Sequence, residues 1–97
     1  MPAKPVIKVE KENPGEFRVT ITEGRSQSSH RVFLTQGYFR KLTNGRVSEK
    51  DLIERSFQFL LERESKESIL PEFDLPVIGR YFPAYETEIR NRLGVPS

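Results

Sequence analysis

The chain has 97 residues, of which 35% are hydrophobic and 31% charged, and its net charge is +2. A chain of this length fits one domain, 1–97, around a single core, and seven phenylalanines and three tyrosines exclude an intrinsically disordered chain. The lack of cysteine excludes disulfides, a thiolate nucleophile and a sulfur-ligated metal, and the short apolar runs exclude a membrane-spanning helix.

The charge is divided unevenly along the chain. Residues 1–48 carry nine cationic and four acidic side chains, whereas residues 49–97 carry seven cationic and ten acidic ones. This division is typical of a protein that binds a polyanion, and equally of two halves that attract each other within a fold or across a dimer. We expect a cytoplasmic protein with flexible ends, since the amino terminus lacks the apolar core of a signal peptide.

The first third of the chain has the alternating pattern of β-strands. The predicted strands are Val6–Glu10, Phe17–Ile21 and Val32–Leu34, which are rich in β-branched and aromatic residues. Asn13-Pro14-Gly15 predicts a tight first turn, and the run from Glu23 to Ser29 predicts a looser polar loop. The sequence therefore predicts a three-stranded antiparallel sheet.

Helix signals begin after the third strand. Thr35 is expected to cap a short helix that ends at Asn44-Gly45, and Ser48 to cap a second helix whose first turn is acidic. The apolar residues of 52–61 cover an arc of about 200° at roughly 100° per residue. This width predicts that the second helix is central or has a partner on a second side.

Prolines divide the carboxy-terminal tail into short pieces. Residues 65–70 predict one turn, Asp74 is expected to cap a second short helix, and Pro83 to open a third. The third helix has apolar residues every fourth position and is followed by Gly94. The predicted fold is α+β: a β-rich segment with a short helix over about 6–43, then a mainly helical half over about 48–93 packed on the sheet.

Two segments carry resemblances to known families. The runs RSFQFLLERESKESIL (55–70) and FDLPVIGRYFPAYETEI (73–89) resemble a family of small uncharacterised bacterial proteins. The resemblance supports a single domain over 1–97, and because that family has no established activity it implies nothing about chemistry. The segment 30–63 is similar to a ribbon-helix-helix DNA-binding unit. That similarity implies that Arg31 and Phe33 face the major groove and that Ser48 and Glu49 lie near a phosphate.

The acid-free stretch 24–48 is the candidate polyanion surface. Its cations are Arg25, Arg31, Arg40, Lys41 and Arg46. Cations with nearby aromatic rings are typical of phosphate contact and base stacking, but a charged solvated face predicts the same pattern. Binding of DNA or RNA is therefore the alternative function.

A second candidate surface is aromatic. Phe59, Tyr81, Phe82 and Tyr85 could form a protein-contact surface, or could instead fill the core, as aromatic residues of small domains commonly do. The function that we expect is a small non-enzymatic binding or accessory protein acting through protein–protein contacts. A homodimer through the helix Leu52–Leu61 is one such contact.

Catalytic chemistry is not indicated by the sequence. His30 is the single histidine, and no nucleophile, base and orienting group are assembled in the motifs. The glycines are scattered singly, so no phosphate-binding loop is predicted. We expect no enzyme activity, no catalytic residues, no cofactor and no metal.

Overall fold

The computed structural model describes residues 4–96. Within them the chain forms four strands, β1 (Val6–Asn13), β2 (Glu16–Glu23), β3 (Ser26–Phe33) and β4 (Glu72–Asp74). The helices are α1 (Gln36–Thr43), α2 (Glu49–Leu61), α3 (Val77–Tyr81) and α4 (Tyr85–Leu93), and one 3-10 turn covers Lys66–Ser68. The flexible ends predicted from the sequence involve residues 1–3 and 97, which lie outside the described residues.

The sheet has the order β1-β2-β3-β4, and it confirms an α+β fold with helices after the first strands. Strands β1, β2 and β3 are antiparallel, as predicted. The predicted sheet of three strands is wrong, because β4 pairs in parallel with β3. The backbone N–H of Arg31 donates to Pro71 at 2.8 Å and that of Leu75 donates to Phe33 at 2.9 Å. Asp74 therefore lies in a strand and caps no helix.

Two glycine turns set the register of the first three strands. Gly15 follows Pro14 with φ at 77°, and a Cβ there would lie 3.2 Å from the carbonyl oxygen of Leu34. Gly24, with φ at 61°, and Arg25 join β2 to β3 in a two-residue turn. The looser loop predicted up to Ser29 is therefore wrong, since Ser26 already pairs with Glu23 across a tight hairpin.

The predicted helix ends are confirmed by their cap geometry. Thr35 Oγ1 accepts from the backbone N–H of Tyr38 at 3.1 Å, and Ser48 Oγ accepts from that of Asp51 at 3.0 Å. Asn44 ends α1 and Gly94 ends α4, both in the left-handed conformation. These contacts satisfy backbone groups that a helix end leaves unpaired.

Helix α2 is central, as one reading of its wide apolar arc predicted. It packs against β1 on one side and α4 on another. Its buried apolar side chains are Leu52, Ile53, Phe57, Phe59 and Leu60. The chain itself covers these five side chains. The homodimer predicted through Leu52–Leu61 stays a prediction. Within residues 4–96, none of the helices is long and apolar enough to cross a bilayer.

Candidate binding groove

The five cations of the candidate polyanion surface do not lie together. Arg25 occupies the β2–β3 turn, at the opposite end of β3 from α1. Arg31 lies in β3, where its guanidinium is 3.3 Å from the carboxylate of Glu16 and 3.5 Å from that of Glu72. The charge of Arg31 is therefore already matched by two carboxylates.

The other three cations cluster at the carboxy-terminal end of α1. Arg40 and Lys41 are in its last turn, and the backbone N–H of Arg46 donates to Thr43 at 3.1 Å. Sequence reasoning missed a fourth member, Arg90 of α4, which donates to the carbonyl oxygens of Lys41 and Leu42 at 3.1 and 3.2 Å. Among residues 4–96 these four cations, which we call the α1 cluster, form no ion pair with a carboxylate. In the sequence, Arg90 was recognised as a cation late in the last helix, which does not indicate contact with α1.

The four aromatic residues of the candidate protein-contact surface are divided between core and surface. Phe59 and Tyr85 are fully buried, with ring centroids 5.4 Å apart. The Tyr85 hydroxyl lies 2.6 Å from Ser56 Oγ, and burial raises the pKa of Tyr85. These two residues therefore belong to the core, because α4 packs on α2 through the face that carries Tyr85 and Ile89. Tyr81 is 68% exposed, and Phe82 is partly buried.

Tyr81 and Phe82 line an open apolar groove of about 370 Å³. The groove lies between the end of α2, the 3-10 turn, β4 and α3. Its other principal apolar walls are Leu60, Ile69, Leu70, Phe73 and Ile78. Leu70 is 43% exposed, so two large apolar side chains of one groove reach the solvent.

The wall that carries Ile69 and Leu70 is held by the ion pairs of Lys66. Lys66 is buried, and its ammonium lies 3.4 Å from the carboxylate of Glu23 and also contacts Glu67. The hydrogen bond to Glu67 raises the pKa of Lys66. These contacts fix the 3-10 turn to the end of the β2–β3 hairpin.

His30 ties the same wall to the sheet. Its Nδ1 is 2.8 Å from the carbonyl oxygen of Leu70, and its Nε2 is 2.8 Å from Ser28 Oγ. A carbonyl only accepts, so Nδ1 carries the proton and donates it, and in the neutral ring Nε2 accepts from Ser28. The imidazole also packs on Phe57, with centroids 5.6 Å apart. His30 therefore positions the groove wall.

Glu64 is the carboxylate that lines the groove. The nearby carboxylate of Glu62, by contrast, has a basic partner. Arg92 donates to both of its oxygens at 2.6 and 2.8 Å and thereby lowers the pKa of Glu62. Arg63 stacks 3.6 Å from the Phe59 ring and contacts Glu88. Within residues 4–96, Glu64 has no ion pair, so its charge is available to a ligand.

The groove is suited to binding. Its walls are apolar, and Glu64 and Ser68 contribute its charged and hydroxyl side chains. In the part of the chain that the structure describes, no three histidine, aspartate or glutamate side chains are grouped so that they could hold a metal ion. An apolar groove with a carboxylate in its lining is complementary to an apolar group and a cation that enter it together.

Comparison with protein-family models, curated proteins and solved structures found no match to this chain. The resemblances to a small bacterial family and to the ribbon-helix-helix unit stay predictions.

Proposed function

We propose that this protein is a small non-enzymatic binding protein that takes an apolar side chain of a partner protein into the groove beside Tyr81. The observation that carries this proposal is the joint exposure of Tyr81 and Leu70 on one groove. Among residues 4–96 one further large apolar side chain is exposed, Val6, which lies on β1 at the opposite edge of the sheet. Two exposed side chains at one groove mark a binding surface better than a single one does.

The size of the groove suits one or two side chains. A volume of about 370 Å³ lies near the lower end of the roughly 300–1,000 Å³ that is common for ligand sites. Burying one Leu or Phe side chain of a partner contributes about 1.5–3 kcal/mol, which is enough for an anchor residue but needs further contacts for stable binding. Glu64 supplies one of them, because its carboxylate lines the same groove and would meet a cation that enters the groove together with the anchor.

The test is a selection of linear dodecapeptides from a random phage library on the full chain. Leu70→Glu places a charge in the groove, and the matched control Val6→Glu places the same charge on an exposed valine of β1. We expect enriched peptides that contain a large apolar residue and that bind at least tenfold more weakly to Leu70→Glu than to Val6→Glu. Peptides that bind both variants equally would contradict the proposal.

The α1 cluster supports a second candidate function, the binding of nucleic-acid phosphates. Four cations without carboxylate partners in residues 4–96 could neutralise up to four phosphates, which predicts a slope of about −3.6 for log K against log salt. Fluorescence anisotropy with a mixed-sequence duplex measures it. We expect replacement of Arg40, Lys41 and Arg46 by Gln to remove most of this slope, with Arg25→Gln as control. Equal losses in both variants, or no binding at low salt, would rule this candidate out.

A further inference from the structure

We infer that the partner segment docks as an extended strand on the free edge of β4, with an apolar residue between two basic ones. This inference rests on the proposed function, since the apolar residue is the side chain that the groove takes in. It names the conformation and the charge pattern of the partner. Three features of β4 lead to it.

The first feature is the open edge of the sheet. β4 is the last strand in the order, so within residues 4–96 one of its sides has no neighbouring strand. The carbonyl of Pro71 and the N–H of Leu75 are hydrogen-bonded to β3. Because the backbone groups of successive strand residues point to opposite sides, those of Phe73 also face β3. The N–H and C=O groups of Glu72 and Asp74 therefore face the free edge. An added strand could form hydrogen bonds with them.

The second feature is the position of the groove relative to that edge. Phe73 is buried on the inner face of β4 and lines the groove, whereas Glu72 and Asp74 are exposed. In paired strands, residues opposite each other project their side chains to the same face. The residue that pairs with Phe73 would thus project toward the groove, and both of its neighbours would project to the outer face.

The third feature is the charge on the outer face. Glu72 and Asp74 are the two residues of β4 that project there, and Asp74 has no ion pair among residues 4–96. An added strand would bring its outer residues opposite these carboxylates, so lysine or arginine is favoured there. The same two acids disfavour β4 of a second copy, because like charges would lie opposite each other. The edge therefore favours a different, basic partner.

The alternation is tested by the peptides selected on the full chain. We expect enriched sequences with a large apolar residue between two basic residues. The double variant Glu72→Lys with Asp74→Lys reverses the charge of two exposed residues. Peptides selected on it are expected to carry acidic instead of basic residues on both sides of the apolar residue. Val6→Glu serves as the control that leaves the pattern unchanged.

The added strand is tested by N-methylation of the best selected peptide. Methyl groups on one alternating set of nitrogens should weaken binding at least tenfold, because those N–H groups face β4, and methyl groups on the other set should leave binding unchanged. If both sets of methyl groups leave binding unchanged, or if the double variant still selects basic residues, the strand inference is wrong. The groove proposal would still hold in that case, provided that Leu70→Glu loses binding. If Leu70→Glu binds the selected peptides as well as the wild type and selects the same sequences, both the groove proposal and the strand inference are wrong.

Discussion

Replacement of Tyr85 by phenylalanine is expected to make the stability of the protein less sensitive to alkaline pH. Ser56 Oγ donates to the carbonyl oxygen of Leu52 at 2.7 Å, so its single proton is used there, and the Tyr85 hydroxyl donates to Ser56 Oγ at 2.6 Å. Removing that hydroxyl at pH 7 deletes one buried hydrogen bond. We expect a loss of about 1 kcal/mol in the free energy of unfolding.

The loss should disappear as the pH rises. Burial raises the pKa of Tyr85 in the folded state above the value of about 10 expected in the unfolded chain. The tyrosine therefore contributes its full stability below pH 10, and this contribution falls as the pH rises, because only the unfolded state releases the proton. At pH 11 the wild type should have lost about 1.4 kcal/mol relative to Tyr85→Phe, so the two stabilities should cross between about pH 10 and pH 11 and the variant should be slightly more stable at pH 11.

Urea unfolding followed by circular dichroism, at intervals from pH 7 to pH 11, measures this difference. Tyr81→Phe is the matched control, because Tyr81 is 68% exposed and its hydroxyl leaves the solvent little on folding. For this control we expect a smaller loss in the free energy of unfolding at pH 7 than for Tyr85→Phe. A difference between Tyr85→Phe and the wild type that stays constant with pH would refute the argument that burial raises the pKa of Tyr85.

Three further substitutions test other contacts. Phe59→Ala removes a fully buried ring that packs on Tyr85 and under Arg63, so a loss of about 3–5 kcal/mol in urea unfolding is expected, against under about 0.5 kcal/mol for exposed Tyr81→Ala. Ser48→Ala removes the cap of α2 and should cost about 1 kcal/mol, with the conservative Ser48→Thr as the control that keeps most of it. Gly15→Ala should lower the thermal midpoint, because φ is 77° and the added Cβ would lie 3.2 Å from a backbone oxygen; an unchanged midpoint would contradict the turn geometry.

Features encoded by neighbouring residues could be predicted from the sequence. The caps at Thr35, Ser48 and Gly94 depend on contacts within four residues, and all three are confirmed. The apolar arc of 52–61 likewise indicated a helix that is central or has a partner on a second side, and α2 is central. Local chemistry was sufficient in these cases because the backbone groups concerned are satisfied by the adjacent turn of the chain.

Features that depend on distant residues could not be predicted. β4 has three residues and is held by hydrogen bonds to β3, some 40 positions earlier in the sequence, so Asp74 resembled a helix cap. The start of β3 has small polar residues with low strand propensity, and it forms because Gly24 turns the chain back onto β2. The candidate groove was found only in part. Tyr81 and Phe82 were named from the sequence. Leu70 was not, and its backbone carbonyl is bonded to His30, 40 positions earlier in the sequence.

The groove exists because prolines prevent the tail from forming one helix. Pro71, Pro76 and Pro83 each lack a backbone donor, so the chain between α2 and α4 is divided into a 3-10 turn, a three-residue strand and the short helix α3. A single continuous helix could turn one apolar stripe inward and leave a polar face outside. Short pieces that approach the core at different angles divide their apolar side chains, with Ile69 and Ile78 inward and Leu70 and Tyr81 outward. The same breaks that end each helix early therefore leave an apolar groove beside a free strand edge, which is the combination that the docking of an extended partner requires.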